Sequence, residues 1–229
     1  MDNNSINNEW ITFADLMTIL SIIFVILMAS YSITKYKTIQ EVQTVQSEIR
    51  VALVEEFKDD LDNWSAKIDE DATVSFTGAN LVQFDQGKDI IKDKFKNIIS
   101  DFFPRYVAII KRFDTDIRRV RIEGHTSSEW NTYDNKDRKY FNNLDLSQKR
   151  AFNVLKYSFS TLNYYAHKEW IKTKLGSEGL SSSDLILNEF KIEDKKKSRR
   201  TVFKVQINHG NYLIMKPNEN IYSKLEGIR

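Results

Sequence analysis

The chain opens with a long apolar segment and continues as a polar, amphipathic sequence. Residues 10–34 read WITFADLMTILSIIFVILMASYSIT and contain one ionisable side chain, Asp15. A helix of this length spans roughly 37 Å, enough to cross the ~30 Å hydrocarbon core of a bilayer. The segment is therefore predicted to be a transmembrane helix after a short tail, residues 1–9. This tail has no Lys or Arg, unlike the basic flank of a signal peptide, so the helix is expected to remain as an anchor.

Asp15 is the candidate functional residue of this span. An acidic side chain inside a membrane helix costs about 2.5–3.5 kcal/mol at the centre and usually faces a protein interior or a water-filled path. Thr12 and Thr18, each three residues away, share its side of the helix, and Ser21 follows. This pattern favours an ion carrier. The alternative is that Asp15, five residues from Trp10, is hydrated near the headgroups and has no such role.

A second periodic segment follows the apolar one and is predicted to be an amphipathic linker helix within residues 35–69. No Gly or Pro occurs between residues 35 and 64. Two such helices side by side would form a short parallel coiled coil in a dimer, whereas a single helix would fold back on the C-terminal domain; periodicity does not decide between them. Apolar residues recur at spacings of three or four at Ile39, Val42, Val45, Ile49, Leu53, Phe57 and Leu61.

Residues 70–208 alternate between strand and helix patterns, which predicts an α+β domain followed by a tail, residues 209–229. Strands are expected at residues 72–76, 120–123 and 201–207, and a helix at residues 88–111. Another helix is expected to begin near Ser147, with Ser147 as its N-cap. Gly176 and Gly179, with the serines that follow them, indicate a loop.

Composition and charge narrow the class of protein. The 229 residues include no Cys, which excludes disulfides and thiolate metal sites. All 34 Lys and Arg residues follow residue 34, where 29 acidic residues leave a net charge of +5. The three histidines match no metal-ligand spacing, and the basic run at residues 195–200 is a weak signal for nucleic acid. No phosphate loop or nucleophile elbow occurs, so no catalytic residue, metal, cofactor or direct nucleic acid binding is predicted.

Two motifs resemble known families. Trp10, followed by Ala14-Asp15-Leu16-Met17-Thr18, resembles the start of the MotB-type stator subunits of bacterial ion-driven motors. The resemblance implies that Asp15 binds the translocated ion, usually a proton, and that two copies of the chain sit inside five copies of a multi-span MotA- or ZorA-like partner. It also implies a single-pass inner-membrane protein with a cytoplasmic N-terminus and a periplasmic C-terminal domain. Lys35 and Lys37 favour the opposite orientation by the positive-inside rule.

The C-terminal domain resembles the OmpA-like peptidoglycan-binding domain, a mixed α/β sandwich. The resemblance rests on residues 122–126, on the spacing of Asn143, Leu146, Ser147 and Arg150, and on residues 198–200. It implies that Arg150 pairs with a carboxylate of diaminopimelate in the stem peptide, as a guanidinium fork can do. The implied peptidoglycan-binding residues are Thr126, Ser127, Asn143, Leu146, Arg150 and Arg200.

Two departures from the family pattern concern the ligand. Ser127 stands where the family has an Asp that receives the ligand amine, and either Glu123 or Glu129 is a candidate for the missing charge. About eight extra residues separate Thr126 from Asn143. This insertion, residues 129–143, is expected to be a solvated loop, with a lid or a partner-binding loop as the alternative.

Further sequence features bear on which kind of motor system such a subunit would belong to. The short N-terminus and residues 124–130, GHTSSEW, resemble the B-type subunits of Zorya antiphage defence systems more than flagellar stators. In that setting the motor would signal phage-induced envelope damage to cytoplasmic effectors. The alternatives are a flagellar or gliding stator and a passive peptidoglycan tether.

Overall fold

The computed structural model describes residues 3–78, 81–130, 135–163 and 165–208. The predicted tail at residues 209–229, with His209, lies outside the described residues, as do residues 131–134 of the insertion. The chain divides into two compact units, Met1–Val42 and Gln43–Arg229. The α+β fold predicted for the second unit is confirmed, with the differences given below.

Helix α1, Asn3–Phe57, provides all of the described first unit. Its apolar side chains between Trp10 and Ile33 are exposed, and it is long and apolar enough to cross a membrane. The Thr18 hydroxyl donates to the Ala14 carbonyl at 2.8 Å, and Ser21 donates to Met17 at 2.7 Å. These bonds within the helix satisfy both hydroxyls, which lets them remain in an apolar phase.

The end of α1 belongs to the second unit. Ile49, Leu53 and Phe57 are fully buried, so residues 49–57 pack within the C-terminal unit. The choice between a dimeric coiled coil and a helix folded back on the domain stays a prediction for the part of the linker before residue 49. The linker helix predicted within residues 35–69 ends earlier than expected. The chain leaves α1 after Phe57 and forms a short helix α2, Leu61–Trp64, which ends at Ser65 with φ 51°.

Five strands form one mixed sheet: β1 (Ala66–Ile68), β2 (Val74–Thr77), β3 (Ile117–His125), β4 (Leu175–Gly179) and β5 (Arg200–Ile207). Their order in the sheet is β1-β2-β5-β3-β4. All neighbouring strands are antiparallel except β3 and β4, which are parallel and therefore need a crossover connection. Gly176 and Gly179 lie in the edge strand β4, which corrects the predicted loop.

The core of the second unit is aromatic. Phe102 contacts Phe76 and Phe203 with ring centroids 5.0 Å apart in both pairs, and it contacts Phe57 at 5.2 Å. These rings join the end of α1, the helix α3 and two central strands into one cluster. The remaining helices are α3 (Asp93–Ile110), α4 (Lys136–Thr161), α5 (Tyr165–Lys172) and α6 (Lys195–Ser198), with a 3-10 turn at Lys111–Phe113.

Helix α4 begins eleven residues before the predicted N-cap, Ser147. Its N-cap is Asn135, whose side chain accepts hydrogen bonds from the backbone of Asp137 and Arg138 at 2.9 and 3.2 Å. Ser147 is buried within the helix, where its hydroxyl donates to the Leu144 carbonyl at 2.9 Å. Residues 136–143 of the predicted surface loop therefore form the first two turns of α4.

Candidate functional site

Asp15 lies on α1 within the apolar segment and is exposed. One turn further, a groove of about 430 Å³ is lined by the hydroxyl groups of Thr18 and Ser21 and by apolar side chains. A single helix provides only one wall of an ion path. A carboxylate on its surface therefore needs a second protein in order to be enclosed.

A pocket of about 630 Å³ in the second unit brings together the six residues predicted to bind peptidoglycan. Its walls are the segment after β2, the end of β3, α4 and the start of β5. The spacing of three and four residues between Asn143, Leu146 and Arg150 places them on one face of α4. Thr126 and Ser127 follow β3, and Arg200 begins β5.

The close approach of α4 to β3 depends on Gly124. A Cβ at this position would lie 2.4 Å from the Ser147 carbonyl oxygen and would collide with the helix backbone. Gly179 in β4 has the same relation to Gln148, whose backbone N would lie 2.4 Å from an added Cβ. Glycine at these two positions therefore lets α4 lie against the sheet, with the pocket residues at its inner face.

Arg150 is buried beneath the pocket and is held by backbone carbonyls. Its Nε donates to Lys88 at 2.9 Å and its Nη2 to Asp85 at 3.0 Å, while the guanidinium lies 4.8 Å from the Phe84 ring centroid. Burial, followed by repulsion from Arg199, lowers the pKa of Arg150 to about 10, so the side chain is charged at neutral pH. Since two of its donors already have acceptors, only part of the fork is available to a ligand.

Arg200 also lines the pocket, but its charge is balanced within the protein. Its guanidinium forms an ion pair with Asp184 and donates to the Asp184 carbonyl at 2.9 Å. Burial lowers the pKa of Arg200, and Asp184 opposes this shift. The arrangement fits a residue that shapes the pocket wall.

The opening of the pocket contains a charged cluster in which the sequence analysis named Glu129 as a candidate but gave no role to Arg199 or Lys195. Arg199 lines the pocket and its Nη1 donates to the Ser127 hydroxyl at 3.4 Å. Glu129 lies 3.7 Å from Arg199 and forms an ion pair with Lys195. The Asn143 amide donates to the Glu129 carbonyl at 3.2 Å, which ties the segment after β3 to α4. The position of Arg199 directly before the last strand was the available signal.

The second candidate acid, Glu123, is not part of the pocket lining. It is buried, 3.3 Å from Arg121 and 3.6 Å from the His125 ring. Of the two acids proposed to replace the family Asp, only Glu129 lines the pocket. The Thr126 hydroxyl lines the pocket and is buried without a hydrogen-bond partner in the described part of the chain. Across the described ranges, no group of His, Asp or Glu side chains is arranged to hold a metal ion.

Known structures are similar to this chain in fold, and one relative is similar in sequence. No family model matches the chain. The fold is similar to that of a MotB-like protein from Desulfovibrio vulgaris, with a TM-score of 0.52, 17% identity and coverage of 74% of this chain and 98% of the other. The cell wall anchor of the T6SS from Pseudomonas aeruginosa matches with a TM-score of 0.47 and 18% identity over 68% of this chain and 97% of the other. At 17% identity the likeness to the Desulfovibrio vulgaris protein concerns the fold of the C-terminal unit alone.

Sequence similarity gives the particular family. The chain is 39% identical over 211 residues to the Zorya protein ZorB of Escherichia coli, a match that covers 88% of this chain and 89% of the relative. The chain therefore belongs to the ZorB family. The predicted resemblance to MotB-type subunits, and to those of Zorya systems in particular, is confirmed.

Proposed function

We propose that this MotB-like subunit carries protons through the membrane on Asp15 and holds a rotary motor to the cell wall through its C-terminal domain. The observation that carries the proposal is that Asp15 is the one acidic or basic side chain in residues 10–34. Apolar surroundings favour the neutral form of a carboxyl group, so a site that alternates between a dry and a wet environment binds and releases a proton. A membrane potential supplies about 2.3 kcal/mol per charge per 100 mV.

The proposed assembly has two copies of this chain within five copies of a multi-span MotA- or ZorA-like subunit. In it the N-terminus is cytoplasmic and the C-terminal domain is periplasmic. The exposed apolar surface of α1 supports a helix that is surrounded by lipid or by partner helices. Ion flow would turn the partner ring around the tethered dimer, and the motor would report phage-induced envelope damage to cytoplasmic effectors.

The proposed wall ligand is a peptidoglycan stem peptide in the pocket formed by α4 and the ends of β3 and β5. Support comes from the placement of Thr126, Ser127, Asn143 and Arg150 around one cavity. Arg150 supplies a positive charge for a ligand carboxylate, and Leu146 supplies an apolar contact. No catalytic step is part of the proposal.

The ion-carrier proposal is tested with Asp15→Asn, which keeps the size and hydrogen-bonding capacity of the side chain but removes its titration. Cells that express the variant with its partner subunit are expected to lose both proton flux and protection against phage. The matched control is Glu9→Gln, which changes an acid outside the apolar segment and is expected to retain both. Full activity of Asp15→Asn would reject the ion carrier and favour a passive tether.

The anchor proposal is tested by the retention of the full-length protein on purified sacculi. Arg150→Ala is expected to weaken retention at least about tenfold, because a charge-assisted hydrogen bond contributes about 1.5–3 kcal/mol. Lys149→Ala, one residue away and exposed, is the control. Because Arg150 also holds two backbone carbonyls, the melting temperature is measured alongside, and Arg150→Lys preserves the charge. Unchanged retention of folded Arg150→Ala would exclude this pocket as the wall site.

A further inference from the structure

The pocket has more positive charge than its own acidic residues balance. Two of its charged side chains are neutralised locally: Arg200 by Asp184, and Asp85 by Lys92, with Nζ and Oδ1 2.9 Å apart. Neither contributes a free charge to a ligand. The remaining charges belong to Arg150 at the base and to the cluster at the opening.

Arg150 has no ion pair among the described residues. Its hydrogen bonds go to neutral carbonyls, those of Asp85 and Lys88, which orient the guanidinium without cancelling its charge. Asp89 acts on this charge only beyond ion-pair distance. A buried charge without a direct counter-ion is costly, and an anionic ligand would reduce that cost. Arg150 therefore provides one site for a carboxylate.

The opening of the pocket provides a second site. Arg199 and Lys195 share one carboxylate, that of Glu129, so this cluster also retains one positive charge. The two arginines influence each other, since the charge of Arg199 helps to lower the pKa of Arg150. An anion between the two guanidinium groups, or one anion on each, would relieve this repulsion.

Neutral groups of the pocket lining also fit a carboxylate end. The Thr126 hydroxyl is buried, lines the pocket and has no partner in the described part of the chain, so it can donate to an oxygen of a ligand. Ser127 already accepts a hydrogen bond from Arg199, which keeps the guanidinium of Arg199 at the pocket wall. An ammonium group placed beside Ser127 would meet this guanidinium and be repelled.

We propose that the pocket binds a peptide end that carries two carboxylates, one on Arg150 and the second on Arg199, and that Arg199 selects for the second carboxylate. The inference rests on the proposed binding of stem peptides and adds their charge pattern. It competes with a zwitterionic mode, in which Glu129 would receive a ligand ammonium in place of Lys195.

The experiment measures the dissociation constants of synthetic peptides by calorimetry with the full-length protein in detergent. The reference probe is L-Ala-γ-D-Glu-meso-diaminopimelate, with both diaminopimelate carboxyls free. One analogue carries an amide at the distal carboxyl, and another carries an acetyl group on the distal amine. Amidation is expected to weaken binding about tenfold or more, whereas acetylation is expected to change it less than about threefold.

Variants test whether Arg199 is responsible for the weaker binding of the amidated probe. Arg199→Gln is expected to weaken binding of the reference probe about tenfold and to leave binding of the amidated probe unchanged, because the second carboxylate is already absent from it. Lys196→Gln is the matched control, since Lys196 is an exposed neighbour that does not line the pocket. Arg199 is itself exposed, so its replacement is not expected to change the melting temperature.

The outcomes separate the inference from the proposed function. If acetylation abolishes binding while amidation and Arg199→Gln have no effect, the zwitterionic mode is correct and the inference is overturned, but anchoring stands. If the protein is retained on sacculi but binds none of the three probes, the inference is overturned as well. If it binds neither sacculi nor probes, the proposed anchoring itself fails.

Discussion

The guanidinium carbon of Arg105 lies 4.8 Å from the centroid of the Phe57 ring, so α3 is fastened to the last turn of α1. The same guanidinium forms ion pairs with Glu56 at 2.7 Å and with Asp60 at 3.0 Å. It also donates to the Glu56 carbonyl at 2.9 Å. The Arg105 side chain therefore stabilises the C-terminal end of α1 against α3.

Arg105→Ala is expected to lower the free energy of unfolding by about 1–3 kcal/mol, since it removes partly exposed ion pairs and a cation–π contact together. Chemical denaturation of the full-length protein in detergent measures this loss. Arg105→Lys keeps the charge but not the fork, and it should fall between wild type and Ala. Arg112→Ala, on the exposed turn after α3, is the control. A loss as small as that of the control would show that the contacts at Phe57 and Glu56 contribute nothing.

The glycines beneath α4 provide a test of the pocket geometry. Gly124→Ala is expected to cost about 1–3 kcal/mol or more and to weaken retention on sacculi, because α4 must move away from the sheet with Arg150 on it. Gly176→Ala is the control, because Gly176 lies in the neighbouring strand β4 and an added Cβ there would have no atom within 4 Å. It is expected to leave the melting temperature and the retention unchanged. Equal effects of the two substitutions would contradict the close approach.

Phe102 is the centre of the aromatic core. Phe102→Ala is expected to lower the free energy of unfolding by about 3–5 kcal/mol, and Phe102→Leu by less, because a cavity remains where the ring contacted its neighbours. Phe152→Ala replaces a half-exposed ring on α4 and is expected to change stability by less than about 0.5 kcal/mol. Denaturation curves of the three variants measure these losses. A loss for Phe102→Ala as small as that for Phe152→Ala would show that Phe102 is not the centre of the core.

The pH dependence of stability is expected to involve Glu123. Burial disfavours its charged form, but the contact with His125 and the positive charges of Lys204 and Arg121 outweigh burial and lower the pKa of Glu123 below 4.5. A carboxyl with a lowered folded-state pKa stabilises the fold above its unfolded value, and this contribution is lost as the pH falls through the folded pKa. Stability should therefore decline below about pH 4.5.

Glu123→Gln is expected to reduce the change of the unfolding free energy with pH between about pH 5 and pH 3. The measurement is the free energy of unfolding at closely spaced pH values. Glu55→Gln, an exposed position on α1, serves as the control and is expected to keep the slope of the wild type. An identical slope in both variants would show that Glu123 is not the group responsible.

The hydrophobic pattern was sufficient to predict the elements in which buried residues recur at a regular spacing. It indicated the apolar part of α1, helix α3 and strand β5 within a few residues. It missed β4, whose sequence LGSEG has no alternation and which forms because it pairs with β3. It also missed the start of α4, whose first two turns are polar and mostly exposed.

The candidate site was predictable only in part. Family motifs indicated residues that line one pocket, and their role in binding remains a prediction to be tested. Sequence spacing did not show that Asp184 balances Arg200, because the two are separated by sixteen residues in an irregular segment. It also did not show that Glu129 faces the pocket while Glu123 is buried, since that depends on where β3 ends.

The burial of Ile49, Leu53 and Phe57 has a consequence for how this module can be exchanged between relatives. A chimaera joined at residue 70 would separate the sheet from three of its interior side chains and from strand β1. The transferable piece therefore begins at Gln43, where the second compact unit begins. Grafts that respect this junction should fold, and those made at the start of the family-like segment should aggregate.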